Sequence, residues 1–400
     1  MKNTSPSYMS TSRLISIVGF STLIRLFINT ARRFAYPFAP ALSRGMGVSL
    51  TAVTSMIAVN QITGLFGLVF APLGDKWGYR LMMMAGTGAL AVGMFCGGLF
   101  PYYGMVLLAL FLAGLGKTVF DPALQAFVGS RIPYERRGMA IGICETAWAG
   151  ASLLGIPLAG ILIARFGWQF PFFFLGAIGV IGLLGLYVLI PVNEQKSIST
   201  EKTSIYITAI SQLIRQRSPL GAMGFAFLLN AGNDNLFVVY GAWLEKNFNL
   251  GIVALGIATT VIGAAELLGE MITAFLGDRI GLPRLITMGT ILSTACYIAL
   301  PAIGINLPLA LSALFFVFLA FELTIVTSIS LCTELLPEAR ATMMAGFLAS
   351  AGLGRVVGAL IGGPIWISGG IHATGIVSAV ITGLALVFLM WGLKGWKPTP

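Results

Sequence analysis

Charge is scarce in this sequence. Only 10% of its 400 residues are Asp, Glu, Lys or Arg, and 57% are hydrophobic, whereas a soluble domain carries about 25% charged residues. A soluble globular domain is excluded. Histidine is nearly absent: His372 stands alone, so neither a histidine-based metal centre nor a Ser-His-Asp set can be assembled, and a membrane enzyme is disfavoured. The four cysteines, Cys96, Cys144, Cys296 and Cys332, lie singly in apolar stretches. That pattern offers neither a disulfide framework nor a zinc site. Gly116-Lys117-Thr118 looks like the end of a nucleotide-binding loop, yet position 111 is Phe where that motif needs its first Gly, and no strand precedes it. No cofactor or metal is expected.

What is present is apolar length. The mean hydropathy is +0.92, and a helix needs roughly 20 apolar residues to cross a bilayer. The chain accommodates about twelve such spans with short loops, the first over residues 13–36 and the seventh over 219–241. Fifty glycines suit close helix packing in lipid. Arg25 interrupts the first apolar run, which therefore reads as a retained helix, not a cleaved leader. The most polar stretch, Asn193 to Ser218, divides the chain into a first bundle at 1–192, a linker at 193–218 and a second bundle at 219–400. A short amphipathic helix is expected within the linker, around Ile205 to Arg215.

Loop Lys and Arg set the orientation. With the N-terminus inside, Arg44, Arg165 and Lys246 are the only basic residues left in outside loops, and all the other loop Lys and Arg fall inside. Both termini are then cytoplasmic. The formal charge of +10 is thus mostly a topology signal. Its partners are a lipid bilayer and a small molecule, and no nucleic acid is expected.

A charged hairpin, Leu73-Gly74-Asp75-Lys76-Trp77-Gly78-Tyr79-Arg80, sits between two apolar runs. It returns half a chain later as Leu276-Gly277-Asp278-Arg279-Ile280-Gly281-Leu282-Pro283-Arg284. The next inside loop repeats as well, Pro133-Tyr134-Glu135-Arg136-Arg137 against Pro337-Glu338-Ala339-Arg340. Two loops in register mean a tandem duplication of one membrane unit. Gly74 and Gly277 permit close approach, and Gly78 and Gly281 are expected to take the positive φ of a turn. Asp75 and Asp278 are suited to accept hydrogen bonds from a helix N-terminus, while the basic residues hold the loop inside.

The hairpin and its echo resemble the loops between helices 2–3 and 8–9 of major facilitator superfamily transporters, and the resemblance covers nearly the whole chain. It implies an all-α membrane protein of twelve transmembrane helices in two pseudo-symmetric six-helix bundles, without enzymatic activity, working as a monomer in a bacterial inner membrane. It also implies that helices 1, 4, 7 and 10 line a central cavity, that 2, 5, 8 and 11 join the halves, and that every third helix is peripheral. Gly74, Asp75, Gly78, Arg80, Arg136, Gly277, Asp278, Arg279 and Gly281 are then expected to serve the conformational switch. Two departures matter. Where drug-exporting members carry a helix-4 arginine before the G-x-G of Gly114-Leu115-Gly116, this chain has Leu110, leaving Lys117 to substitute. Gly150, Gly155, Pro157 and Gly160 resemble the antiporter signature, but Ile156 and Ile161 replace two of its glycines.

An ionisable residue in hydrocarbon costs several kcal/mol, so it usually faces a bundle interior or a wet cavity. Those of this chain follow the helix rule that the resemblance implies. Arg25, Asn29, Arg32 and Arg33 share one stripe of helix 1, with Arg25 the deepest and the first candidate to grip an anion. At least one of Arg32 and Arg33 is expected to snorkel to the outer headgroups. Lys117 and Asp121 are one turn apart in helix 4 and suited to pair, Pro122 bending the helix, and Glu145 lies on helix 5. Asn230 to Asn235 is a polar patch around Asp234 expected to line the cavity, with a helix break there. Glu266 and Glu270 share a face of helix 8. Two such neighbours do not both ionise easily in low dielectric, so one is expected to hold a proton. Glu322 in helix 10 and Arg355 in helix 11 complete the set.

The substrate-binding candidates are accordingly Arg25, Asn29, Arg32, Asn230, Asp234, Glu322 and Arg355. The proton-coupling candidates are Asp234, Glu266, Glu270, Glu322, Asp121 and Glu145, with Asp234 and Glu266 ranked first. The expected function is secondary export of a small amphiphilic or zwitterionic solute, driven by the proton gradient through alternating access. The rivals are a proton-coupled importer of an organic anion and a receptor or scaffold without turnover. A scaffold gains nothing from so many intramembrane charges.

Overall fold

The computed structural model describes residues 11–67, 70, 77–132, 134–190, 213, 215–336 and 340–396, and all its regular elements are helices. The first half holds α1 (Thr11–Arg33), α2 (Ala39–Met46), α3 (Leu50–Ile62), α4 (Tyr79–Leu99), α5 (Tyr103–Arg131), α6 (Tyr134–Gly150), α7 (Ile156–Phe166) and α8 (Phe170–Leu189). The second holds α9 (Arg217–Phe237), α10 (Tyr240–Phe248), α11 (Ile252–Ile280), α12 (Leu282–Ile303), α13 (Leu307–Leu335) and α14 (Arg340–Leu393). Gly74, Asp75, the linker apart from Leu213 and Arg215–Ser218, and Pro337 to Ala339 lie outside the described residues. So do the side chains of Arg136 and Asp278.

Among the described residues, nine helices are long and apolar enough to cross a membrane, or ten if the bent pair α2–α3 is one span. The difference from about twelve has physical causes. The 52-residue apolar stretch Thr342–Leu393 would reach about 78 Å at 1.5 Å per residue, more than twice a hydrocarbon core. It is broken by the non-helical Gly369 and Gly370. Helix α9 carries Asn230, Asn233, Asp234 and Asn235, whose polarity keeps it out of an apolar count although these residues are buried.

The duplication survives in backbone detail. Gly78 and Gly281 take φ 87° and 89° and open α4 and α12, which is the expected turn conformation. The first helix of each half is interrupted at the same place in the repeat. After Arg33 the chain turns through Phe34 to Phe38 into α2, and after Phe237 it turns at Val238–Val239 into α10. Pro37 and Pro40 have no N–H to continue a helix ladder into that first turn. Gly47, at φ 66°, caps α2 with bonds to the Arg44 and Ser43 carbonyls, and Ser49 caps α3 by accepting from the Ala52 N–H at 3.2 Å. The helix of the expected first span, 13–36, ends at Arg33, and α2 follows it after a short turn.

The halves interlock at the end of the bundle away from the start of α1 and the end of α14. A Cβ on Gly241 would collide with the Pro37 carbonyl, and one on Gly256 would stand 3.2 Å from the Pro157 Cα. Arg44 pairs with Glu245 there at 2.6 Å. Among the described residues, the only ion pairs joining the halves are this one and a central one, Arg33–Glu266. Helices α4, α8, α12 and the last limb of α14 present exposed apolar side chains outward, such as Val92, Val188, Ile291 and Val387.

Candidate functional site

Polar side chains collect where the interrupted helices of the two halves meet. Helix α1 ends at Arg33, so Arg32 and Arg33 occupy its last turn, where the carbonyl end of the helix dipole favours cations. Neither snorkels. Arg33 is 2% exposed and Arg32 is half-buried, because each is held inward by polar partners on neighbouring helices.

Arg33 makes a two-pronged pair with Glu266 on α11, at 2.6 and 3.2 Å. The Ser152 hydroxyl donates to the same carboxylate at 3.1 Å from the π turn Ala151–Gly155. The guanidinium also lies 4.4 Å from the Trp148 ring centroid. This ion pair crosses between the halves with both partners buried. Glu266 and Glu270 do not stand equivalent, since Glu266 alone has the cation.

A second cluster belongs to the first half. Arg25 reaches both oxygens of Asp121 at 3.0 and 3.2 Å, Glu145 at 2.9 Å and the Cys144 carbonyl at 2.8 Å. Lys117 donates to Asp121 and to the Asn29 Oδ1, each at 2.6 Å. The expected pairing within helix 4 is present, but Arg25 is occupied by carboxylates of its own bundle and is not a free anion grip.

A third network spans the halves. Arg32 donates from Nε to the Asn60 Oδ1 at 3.1 Å and from Nη2 to the Gln61 Oε1. Gln61 donates to the Tyr36 hydroxyl, which donates in turn to the Asp234 Oδ1 at 3.0 Å. Asp234 is fully buried, and its Oδ2 has no hydrogen-bond donor among the described residues. The nearest cation is Arg355, with Nε 3.9 Å away and bonded instead to the Asn230 Oδ1 at 3.1 Å.

The polar patch of α9 divides its work, and the helix does not break within it. Asn230 and Asp234, one turn apart, face the interface. Asn233 accepts from Tyr297 of α12 at 3.1 Å, and Asn235 donates to Thr374 and Ser378 of α14. Those two amides hold neighbouring helices together and do not line a cavity. The break comes three residues after the patch, at Val238.

Three carboxylates meet on α11 and α13. A Cβ on Gly269, between Glu266 and Glu270, would stand 2.9 Å from the Glu322 Cβ, and Glu322 is within electrostatic reach of both glutamates. Glu322 is buried and Glu270 half-buried. Among the described residues neither has a basic partner within 4 Å.

Of the switch candidates, Arg80 clasps the end of α8, donating to the Tyr187 carbonyl at 2.6 Å and lying 4.6 Å over its ring. Arg279 is exposed. Residues that sequence reasoning passed over include Tyr36, Asn60, Gln61, Trp148 and Ser152. Trp148 takes Arg33, Lys117 and Arg355 within 6 Å of one ring. Its only sequence signal was position, one turn beyond Glu145 and one before Ser152.

The chain resembles known proteins over most of its length. It is 25% identical over 382 residues to the uncharacterized MFS-type transporter YceJ of Bacillus subtilis (strain 168), covering 92% of each chain. It is 26% identical to the multidrug resistance protein MdtG of Enterobacter lignolyticus (strain SCF1), covering 88% of this chain and 87% of that one. In fold it matches a bacterial homolog of the human lysosomal transporter Spinster in an inward-facing, unoccupied conformation, with TM-score 0.76 at 15% identity over 98% of this chain and all of that one. A peptide transporter in complex with sulfate matches with TM-score 0.79 at 12% identity, over 97% and 95%. The Major Facilitator Superfamily model matches twice, at residues 21–227 and 222–400, one match to each half of the duplication. With both halves accounted for in that way, the chain belongs to the Major Facilitator Superfamily and is a transporter of that type, not an enzyme.

Proposed function

We propose that the protein exports a small amphiphilic or zwitterionic solute in exchange for protons, by alternating access of a site between its halves. The observation that supports the reading is the distribution of buried charge between the halves. At the interface Arg33 and Arg355 face the carboxylates of Glu266 and Asp234, whereas Glu270 and Glu322 lack a basic partner within 4 Å among the described residues. A proton carrier needs an acid that can be neutral when loaded and charged when empty, and burial of an unpaired carboxylate favours that cycle. Glu266 is tied to Arg33, which moves the coupling role towards Glu270 and Glu322, with Asp234 next. The multidrug resistance names of several relatives support export over import.

The switch works at the ends of the bundle. With the termini cytoplasmic, the interlocked end of Pro37–Gly241 and Arg44–Glu245 faces outside, and the conformation is closed outward. Asp75, Asp278 and the neighbouring basic residues would close the inner end in the opposite state. The protein acts as a monomer with no cofactor, and the proton gradient is its energy source.

The test uses purified protein in proteoliposomes. A panel of toxic compounds, screened for growth inhibition with and without the gene, supplies a labelled solute. Counterflow of that solute, and its uphill movement when a pH gradient is imposed, are the expected results. Binding without counterflow would mean a receptor. Counterflow that ignores the pH gradient would remove the antiport and leave a uniporter.

A further inference from the structure

Arg32 and Arg355 come from opposite halves and stand at the two ends of one short chain of contacts, through Gln61, Tyr36 and Asp234. They are close enough to repel one another. Each is held by its Nε on an amide oxygen, Asn60 for Arg32 and Asn230 for Arg355. Neutral amides orient a guanidinium without discharging it. Among the described residues, both Nη atoms of Arg355 and the Nη1 of Arg32 have no hydrogen-bond partner.

Close ion pairing stops short of Arg32 and Arg355. Arg25 and Lys117 face Asp121 and Glu145, and Arg33 faces Glu266. Among the described residues that leaves Arg32 with no carboxylate within 4 Å and Arg355 with Asp234 alone, engaged only loosely at 3.9 Å, while Glu270 and Glu322 stand without a cation in that range. Two like charges held in a low-dielectric interface are costly unless something completes them. An oxyanion does so, because a guanidinium fork matches two oxygens of a carboxylate or phosphate. The Trp148 ring, 5.8 Å from the Arg355 guanidinium, supplies an apolar neighbour on that side.

We propose that Arg32 and Arg355 are the two jaws of a site for one oxyanionic group of the transported solute, gripped between the halves. This names the chemistry of one end of the solute and rests on the carrier reading above. In a zwitterion, the cationic end would then fall towards Glu322 and Glu270. Because one jaw belongs to each half, the bound oxyanion also ties the halves together in this conformation.

The experiment measures equilibrium binding by calorimetry on purified protein in detergent, with benzoate and phenyl phosphate as probes and no gradient present. At least one probe is expected to bind saturably, and the pair shows whether the grip takes a carboxylate or a phosphate. Arg32→Gln and Arg355→Gln should each weaken binding by about tenfold or more. Their double replacement should add little, because both arginines serve one ligand. Arg32→Lys keeps the charge in a folded interface and should retain part of the affinity, while Arg165→Gln, exposed in the last turn of α7, should retain it all. Binding of neither probe to the unaltered protein overturns the proposal, as does binding that survives both glutamine variants. Loss of proton coupling in proteoliposomes would sink the antiport reading and leave this result untouched.

Discussion

Replacing Glu266 by Gln tests the pair at the centre of the interface. The amide keeps the side chain's volume, so no cavity forms and the change is almost purely ionic. Arg33 would be left charged and 2% exposed, with its Nε already lacking a partner. Breaking a buried pair by removing one member costs about 3–5 kcal/mol, because an uncompensated charge stays inside. The Trp148 ring at 4.4 Å offsets part of that, since a desolvated cation–π contact is worth about 2 kcal/mol. The expected loss is therefore near the lower end, about 3 kcal/mol. Two comparisons make the measurement decisive. Arg44→Gln removes an ion pair whose arginine is 60% exposed and should cost less than about 1 kcal/mol. Arg33→Leu combined with Glu266→Leu removes both charges and should recover most of the stability lost by Glu266→Gln alone. Thermal unfolding of the four proteins in one detergent gives the ranking. If Glu266→Gln proves as stable as Arg44→Gln, or the double replacement is no better than Glu266→Gln alone, the pair is not the compensated buried charge described here.

Glu270→Gln or Glu322→Gln, or else Asp234→Asn, should abolish solute movement driven by a pH gradient while leaving exchange between equal-pH compartments; if all three still concentrate solute, coupling lies elsewhere. Asp75→Asn should slow transport strongly with solute affinity changed by no more than a few fold, measured as turnover against binding, and a large affinity loss at normal turnover would remove Asp75 from the switch. Gly241→Val, placed against the Pro37 carbonyl, should hold that end of the bundle apart, so that spin labels at positions 44 and 245 move further from each other than in the unaltered background. An unchanged distance would mean that this contact does not set closure.

The repeat, the glycine turns and the helix class were legible in the sequence because each depends on local chemistry. Gly78 and Gly281 sit at equivalent turns that need positive φ, and only glycine takes that conformation without strain. Apolar length alone dictates helices in a solvent that offers no partners to backbone groups. The stripe Arg25, Asn29, Arg32 and Arg33 was readable too, since it follows from helical spacing. What each of those side chains meets was not. Arg25 found Asp121 and Glu145 from two other helices, Arg33 found Glu266 from the other half, and Asn233 and Asn235 turned to α12 and α14 while Asp234 turned to Tyr36. Sequence carries the cost of burying a charge, but the partner that offsets it comes from a helix tens or hundreds of residues away. Which charges cancel and which remain open to a ligand is therefore decided only when the two bundles pack.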